Sequence, residues 1–298
     1  MTFRNRFLAL GALFLLILGL LAPTPVKASE GLFWRVEDSS GRAIHLLGSF
    51  HLATAEFYPL RPAIMDAFNT ADRLVVELDV QNLNNPETIE LFQVGFNPPS
   101  VKLTDQLSPD SLEILRTSAD LPLPLTILQT MRPWMASLSL AATSLLKLGY
   151  TEEYGQDSFF LTLAKQKSLP IAELETPQEQ VSLFTSMSPE EQDLYFKATL
   201  IEINAPVHPV TRYMNYWIQG DAEAFYAAIS EEYQENPELV VIMKRLIDDR
   251  NVSLAARLAA FFERDGVNSF AVIGAAHLVG PNGIPTLLEK AGFKVTRY

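Results

Sequence analysis

The sequence predicts an α/β fold, with a central mixed sheet formed by the N- and C-terminal segments and a large helical insertion packed over it. Three features of the 298 residues lead there. Strand-like apolar runs gather near both ends, helix-start signals crowd the stretch between, and the two ends carry matching Gly-x-x-His motifs at Gly48 to His51 and Gly274 to His277. Hydrophobic residues make up 48% and charged residues 19%, so apolar burial can offset the chain entropy lost on folding, and residues 29–298 are expected to form one domain.

The chain opens with a leader. Arg4 and Arg6 precede an apolar run over residues 7–22, and Val26-Lys27-Ala28 has the small-residue spacing of a cleavage site. Cleavage after Ala28 is expected, which makes residues 1–28 a signal peptide and puts the body in the periplasm or outside the cell. Left uncleaved, the same run would anchor the protein to a membrane. Residues 31–36 and 43–47 read as a strand pair joined by the turn signal Asp38-Ser39-Ser40-Gly41. Pro62 then starts a helix over 63–71, with Ile64, Ala67 and Phe68 at helical spacing, and 74–78 reads as a buried strand.

In the middle of the chain a capping side chain repeatedly precedes proline at the first helical position: Asn85-Pro86, Ser108-Pro109, Thr176-Pro177, Ser188-Pro189 and Asn236-Pro237. Thr176 with Glu179 and Ser188 with Glu191 also complete capping boxes. Arg132-Pro133-Trp134 reads as a helix start that anchors a core, and Tyr216, Trp217, Phe225 and Tyr226 as helix-packing residues. One strand, 170–174, interrupts the helices. The C-terminus returns to strand, helix and strand over 269–273, 284–290 and 293–297.

Composition removes several function classes. With 35 acidic and 23 basic residues the net charge is −12, and no Lys/Arg stripe with interleaved aromatics occurs, so no nucleic-acid partner is expected. The lack of cysteine excludes disulfides, thiol nucleophiles and thiolate metal sites, so any metal must use His, Asp or Glu. There is no G-x-S-x-G elbow, H-E-x-x-H helix or P-loop, and the loop from Gly274 to Gly283 has the wrong glycine spacing for a nucleotide cradle.

Among the four histidines, His51 and His277 each stand three residues beyond a glycine that closes an apolar strand. Glycine lets the chain turn sharply off a sheet, and ligand sites of open α/β sheets gather at the carboxyl ends of strands. Both imidazoles are therefore expected to overhang one crevice. A single histidine so placed would satisfy a backbone group; a matched pair points to a metal. His208, in Pro206-Val207-His208-Pro209, reads as an exposed loop residue, and His45 as solvent-facing or paired with a neighbour. Glu77 interrupts an apolar strand and, if buried, needs a cation, a metal or several donors. Strand alternation puts Val75, Glu77 and Asp79 on one face and pairs Glu173 with Glu175 on another. The structural alternative for Glu77 and Glu175 is an ion pair with Arg132 or Arg250.

Six motifs then stand in one order: Leu47-Gly48-Ser49-Phe50-His51, Glu77-Leu78-Asp79, Tyr154-Gly155-Gln156-Asp157, Leu174-Glu175-Thr176-Pro177-Gln178-Glu179-Gln180, Asp249-Arg250-Asn251 and Gly274-Ala275-Ala276-His277-Leu278-Val279-Gly280. On these, residues 31–298 resemble the TraB/GumN family, related to the TIKI proteases. Ser49 stands where the family usually has threonine, Ala276 where glycine is common and Asp249 where glutamate is usual. The resemblance implies a compact α/β fold and metal-dependent peptide hydrolysis in which both Gly-x-x-His histidines and an acidic residue are essential.

The site expected from residues and resemblance together is that of a metallohydrolase acting on a peptide or small amide. His51, Glu77 and His277 would surround a divalent ion such as Mn, Co or Zn. Glu175 or Glu77 would take a proton from water, and Arg250 would steady the developing oxyanion, aided by loop amides near Gly274. The competing expectation is a non-catalytic extracytoplasmic protein that holds a peptide, a signal molecule or haem in the same crevice.

Overall fold

A computed structural model describes residues 28–82, 86–264 and 267–298 of the chain. The expected leader run over 7–22 and the expected cap Asn85 lie outside the described residues. Six strands, β1 (Phe33–Glu37), β2 (Ala43–Ser49), β3 (Arg73–Val76), β4 (Ile171–Glu173), β5 (Ser269–Gly274) and β6 (Lys294–Arg297), form one mixed sheet in the order β4-β3-β5-β2-β1-β6. β4, β3, β5 and β2 run parallel, whereas β1 is antiparallel to both β2 and β6. The sheet is thus built from the two ends of the chain, with β4 contributed from within the helical insertion.

Burial explains the strand composition. β3 and β5 are flanked on both sides and buried along nearly their whole length, which is why Leu74-Val75-Val76 and Phe270-Ala271-Val272-Ile273 read as continuous apolar runs. The edge strands β4 and β6 are far more exposed, and Lys294 and Arg297 on β6 place charges where a free edge would otherwise invite pairing. The first turn is held by Asp38, whose Oδ1 accepts from the amides of Ser40 and Arg42 at 2.9 and 3.0 Å.

Helices Pro62–Asn69, Gln156–Gln166, Val210–Gln219, Asp249–Arg264 and Ile284–Lys290 contribute to the main core around the sheet. At its centre Phe160 meets Phe68 and Phe270 with ring centroids 5.0 and 4.8 Å apart. A second core lies within the insertion, where helices Pro133–Lys147 and Pro189–Ile203 bury Trp134, Leu140, Phe196 and Leu200. Trp134 follows directly on the proline start, as expected. The capping boxes of Thr176 and Ser188 are both formed, and Ser108 caps its helix through the Ser111 amide. Asn236 makes no side-chain cap and precedes only the short 3-10 turn Pro237–Leu239.

The expected alternation through Asp79 and Glu175 fails because the strands stop early. β3 ends at Val76 and β4 at Glu173, so two-residue alternation does not extend through Asp79 or Glu175. Asp79 turns away to pair with Lys165 at 2.9 Å, and the exposed Glu173 accepts from the Asp79 amide at 2.7 Å. His208 is not an exposed loop residue, since its side chain is only 9% exposed. His45 is half-buried and stacks on Phe33, with ring centroids 5.7 Å apart; burial lowers its pKa to about 4.

Trp217 ties a helix to the first Gly-x-x-His motif. Its fully buried indole donates to the Gly48 carbonyl at 2.7 Å, and its ring packs on Phe57 at 4.8 Å. Trp217→Phe is expected to cost about 1–3 kcal/mol, since it removes this donor from a buried carbonyl and leaves a gap beside it. The midpoint of urea unfolding, compared with wild type at unchanged slope, measures the loss.

Candidate functional site

Four consecutive parallel strands end at the same edge of the sheet, and each is followed there by one expected site residue. Glu175 lies beyond β4, Glu77 beyond β3, His277 beyond β5 and His51 beyond β2. Neighbouring strands lie ~4.8 Å apart, so the row spans about 14 Å. The parallel ladder continues past the strand ends, with the Leu174 amide donating to Val76 O at 2.8 Å and the Glu175 amide to Glu77 O at 2.9 Å, which locks the two glutamates side by side.

Arg250, in the first turn of helix Asp249–Arg264, fills the space among three of the four. Its Nη2 donates to Glu77 Oε2 and Glu175 Oε2, each at 2.6 Å, and its Nε donates to Glu175 Oε1 at 3.0 Å. Nη1 donates to His277 Nε2 at 3.0 Å and to Leu246 O at 3.1 Å. Glu77 is 5% exposed, and its other oxygen accepts from the Gly274 amide at 2.7 Å. The expected ion pair is therefore with Arg250, not Arg132.

The tautomer of His277 follows from these partners. Guanidinium can only donate, so Nε2 accepts and Nδ1 carries the proton, which it donates to Asn251 Oδ1 at 2.6 Å. Asn251 is oriented in turn by donating from Nδ2 to Asn282 O at 2.8 Å. Burial lowers the pKa of His277, more than Glu77 raises it, and keeps the ring neutral. Burial also opposes ionisation of Glu77. Arg250, the protonated His51 and the Gly274 amide outweigh that penalty and hold its carboxyl below the ordinary value. With His277 neutral, Arg250 is the charge in direct contact that matters most.

His51 stands at the open end of the row. Its Nδ1 bonds Asp157 Oδ2 at 3.0 Å, and the other oxygen of Asp157 accepts from Ser49 Oγ at 3.1 Å. Asp157 lies in the first turn of helix Gln156–Gln166, where the helix dipole favours a carboxylate. The preceding Gln156 is zipped to Phe50: its side-chain oxygen accepts from the Phe50 amide at 2.8 Å, and its amide donates to Phe50 O at 3.2 Å. A Cβ at Gly155 would run into the His51 carbonyl, so this close approach requires glycine. Asp157 pushes the His51 pKa up, to about 9, although the ring is 63% exposed and solvent screens part of the attraction.

The glycines of the two motifs have a different purpose from the sharp turn expected of them. Gly48 lies inside β2 and Gly274 has φ −46°, so neither needs left-handed backbone. Both are close-approach positions instead. A Cβ on Gly48 would sit 3.1 Å from Ala275 Cα, and one on Gly274 would sit 3.2 Å from Glu77 Oε1. Ala276 also lies outside left-handed backbone, in the 3-10 turn Ala275–Leu278, where alanine is accommodated.

Four of the five expected residues, Glu77, Glu175, Arg250 and His277, share one hydrogen-bonded cluster. His51 is joined to them electrostatically, since Glu77 raises and Arg250 lowers its pKa. Asp157 and Asn251 were not assigned roles by sequence, although both stood inside the motifs, one residue after Gln156 and one after Arg250. Their functional signal is positional, because each orients the Nδ1 of a motif histidine. The profile of the TraB/PrgY/gumN family matches residues 32–297, a range that holds all of these segments. The chain belongs to this family.

Two curated relatives have the printed name "Uncharacterized protein YbaP". The one from Escherichia coli (strain K12) is 25% identical over 249 residues, covering 83% of this chain and 88% of the relative. The one from Shigella flexneri matches with the same identity and coverage. No solved structure matches the chain. Among the described residues no helix is long and apolar enough to cross a membrane.

The chemistry of the donors fits a divalent ion. Both histidines have Nδ1 engaged by an oxygen acceptor, the arrangement that aims Nε2 at a metal, and Glu77 offers an ionised carboxylate. Among the described residues no three His, Asp or Glu side chains stand together at ligating spacing, because Arg250 is bonded to both His277 Nε2 and Glu77. Ligation by this set requires that guanidinium to withdraw and His51 to give up its Nε2 proton.

Two predictions follow from the electrostatics. Because His51 holds its proton more tightly folded than unfolded, its pairing with Asp157 contributes stability below pH about 6.5 and loses it as pH rises through about 9. Imidazole NMR titration is expected to find His51 ionising well above His277, and Asp157→Asn should bring His51 down. Arg250→Ala leaves two carboxylates facing each other without their shared cation and is expected to destabilise the fold by about 3–5 kcal/mol. Arg250→Lys should recover little of this, since ammonium cannot reproduce the fork; thermal and urea unfolding of the two variants test it.

Proposed function

We propose that this TraB/PrgY/gumN family protein is an exported, metal-dependent hydrolase of peptide or small amide bonds, acting in the periplasm or outside the cell. The reading rests on one observation above all. Two histidines at one sheet edge each have Nδ1 engaged by an oxygen acceptor, Asp157 or Asn251, beside the ionised Glu77. The motif resemblance to TIKI-type proteases supports the reaction class.

In this reading His51 Nε2, His277 Nε2 and Glu77 hold a divalent ion such as Mn, Co or Zn. Such an ion supplies Lewis acidity toward a carbonyl oxygen and makes water nucleophilic at neutral pH. Asp157 and Asn251 keep the rings in the required tautomer. Glu175, the carboxylate not needed as a ligand, takes the proton of the attacking water, and Arg250 moves from His277 to the oxyanion that forms. A cleft of about 240 Å³ beside the His277 loop, lined by Tyr226, Ile229, Met243 and Val279, offers an apolar subsite for a substrate side chain.

One feature favours a second reading. Arg250 already satisfies Glu77, Glu175 and His277, so the cluster is also complete as a rigid wall for a bound peptide, signal molecule or haem without turnover. Calorimetric titration of chelator-treated full chain with Mn, Co and Zn separates the two. The hydrolase reading expects saturable binding that weakens at least tenfold in His51→Ala and His277→Ala, about 10–100-fold in Asp157→Asn, and cleavage of a fluorogenic peptide library that a chelator stops. Equally negligible metal binding by wild type and all three variants would overturn it.

A further inference from the structure

The place that the hydrolase reading gives to a metal already holds a cation. Glu77 Oε1 and His277 Nε2 stand 4.0 Å apart, a gap that one ion with bonds of ~2.1 Å to nitrogen and oxygen spans. Arg250 reaches the same two side chains, with Nη1 on His277 Nε2 at 3.0 Å and Nη2 on Glu77 Oε2 at 2.6 Å. Nε2 of a neutral imidazole has a single lone pair. It can accept from the guanidinium or bind an ion, never both, so the two occupants exclude each other.

The contacts of Arg250 fall into two groups. Those to His277 and Glu77 block expected ligands. Those to Glu175 block none: Nε donates to Oε1 at 3.0 Å and Nη2 to Oε2 at 2.6 Å, a two-bonded fork on a carboxylate outside the ligand set. Glu175 is itself held in place. Its amide donates to Glu77 O at 2.9 Å, and Gln180, in helix Pro177–Thr185, donates from Nε2 to Glu175 Oε2 at 3.1 Å. A guanidinium that lets go of His277 and Glu77 therefore remains tethered.

The charges require that such a release be an exchange. The side chains of Glu77 and Glu175 are only 6% and 9% exposed, and a buried carboxylate left without its cation is strongly destabilising. A divalent ion on Glu77 supplies the charge that Arg250 takes away, while Arg250 continues to neutralise Glu175.

From this we infer that Arg250 is a built-in competitor for the metal. It closes the metal-free site by bonding Glu77 and His277, and on metal entry it swings off both while Glu175 retains it until the oxyanion forms. The inference rests on the ligand set of the hydrolase reading. Two consequences follow. The apparent metal affinity is the intrinsic one reduced by the fraction of molecules in which Arg250 stands aside, and metal and guanidinium substitute for each other in stabilising the sheet edge. Glu175 is in this respect a positioning residue, acting through Arg250.

Calorimetry of the chelator-treated full chain with Zn compares wild type with Arg250→Met, which keeps a long apolar stem but cannot donate. Arg250→Met is expected to bind Zn at least tenfold more tightly. Saturating Zn is expected to raise its unfolding temperature by more than it raises that of wild type, since the ion supplies the missing cation. In wild type, NMR of 15N-labelled arginine is expected to show the Nη1 hydrogens of Arg250 losing protection from solvent exchange as Zn is added, while the Nε hydrogen, held by Glu175, keeps its own. That measurement decides the matter even if Arg250→Met does not fold. The inference is overturned if Zn binds Arg250→Met no more tightly than wild type, or if the Nη1 hydrogens stay protected in Zn-saturated wild type; in both cases the metal site itself stands. Absence of Zn binding by both proteins overturns the metal site and the inference together.

Discussion

The guanidinium of Arg250 stands between two buried carboxylates and a buried imidazole, and the geometry of the sheet edge depends on it. Without that charge, Glu77 and Glu175, whose side chains are 6% and 9% exposed, would repel each other in a medium that screens poorly. The planar fork fixes more than charge. One nitrogen bridges the two glutamates, while another takes the lone pair of His277 and so sets its tautomer, which aligns Asn251 and, through it, the Asn282 carbonyl. Glu77 passes the constraint back to the sheet by accepting from the Gly274 amide. A single side chain from a helix thereby orders three strand ends and the loop after β5.

This arrangement is possible because β5 inserts between β2 and β3. The register sets Gly48 opposite Ile273 and Val76 opposite Val272, so the chain leaves all three strands at nearly the same level. Parallel neighbours with aligned ends bring side chains from residues far apart in sequence to one edge, and the closeness of the backbones explains the glycines. Gly48 and Ala275 are too close for a Cβ to be added freely, as are Gly274 and Glu77. The two Gly-x-x-His motifs are alike in sequence but not in surroundings. His277 is buried and neutral, held by an amide oxygen, whereas His51 is exposed and held by a carboxylate.

What could be read before the structure follows from the range of the forces involved. The helix starts at Ser108, Thr176 and Ser188 were legible because a cap and its partner lie three residues apart. Continuous apolar runs marked β3 and β5 as buried, since a strand covered on both faces has no polar side to alternate. The extent of each strand was not legible: Glu77 and Glu175 lie just past strand ends, where pleat alternation no longer applies. Asp157 and Asn251 escaped assignment because their role lies in a contact with a histidine distant in sequence. His208 was misread for a similar reason. The prolines that flank it do signal a loop, and Val207 beside it is 72% exposed, but the His208 side chain alone turns inward, which local composition does not reveal.

The π turn Lys244–Asp248 joins the helical insertion to the sheet-edge cluster. Wide turns of this kind shift the carbonyls of a helix relative to its side chains and recur at functional positions. Here Leu246 lines a cavity of the helical insertion, and its carbonyl accepts from Arg250 Nη1 at 3.1 Å. Met243, just before the turn, lines both that cavity and the cleft beside the His277 loop. Arg250 is therefore anchored on one side by carboxylates fixed to the sheet and on the other by a backbone whose position depends on how the insertion packs. The helical insertion is in this sense a structural part of the site, holding from above the cation that the sheet holds from below.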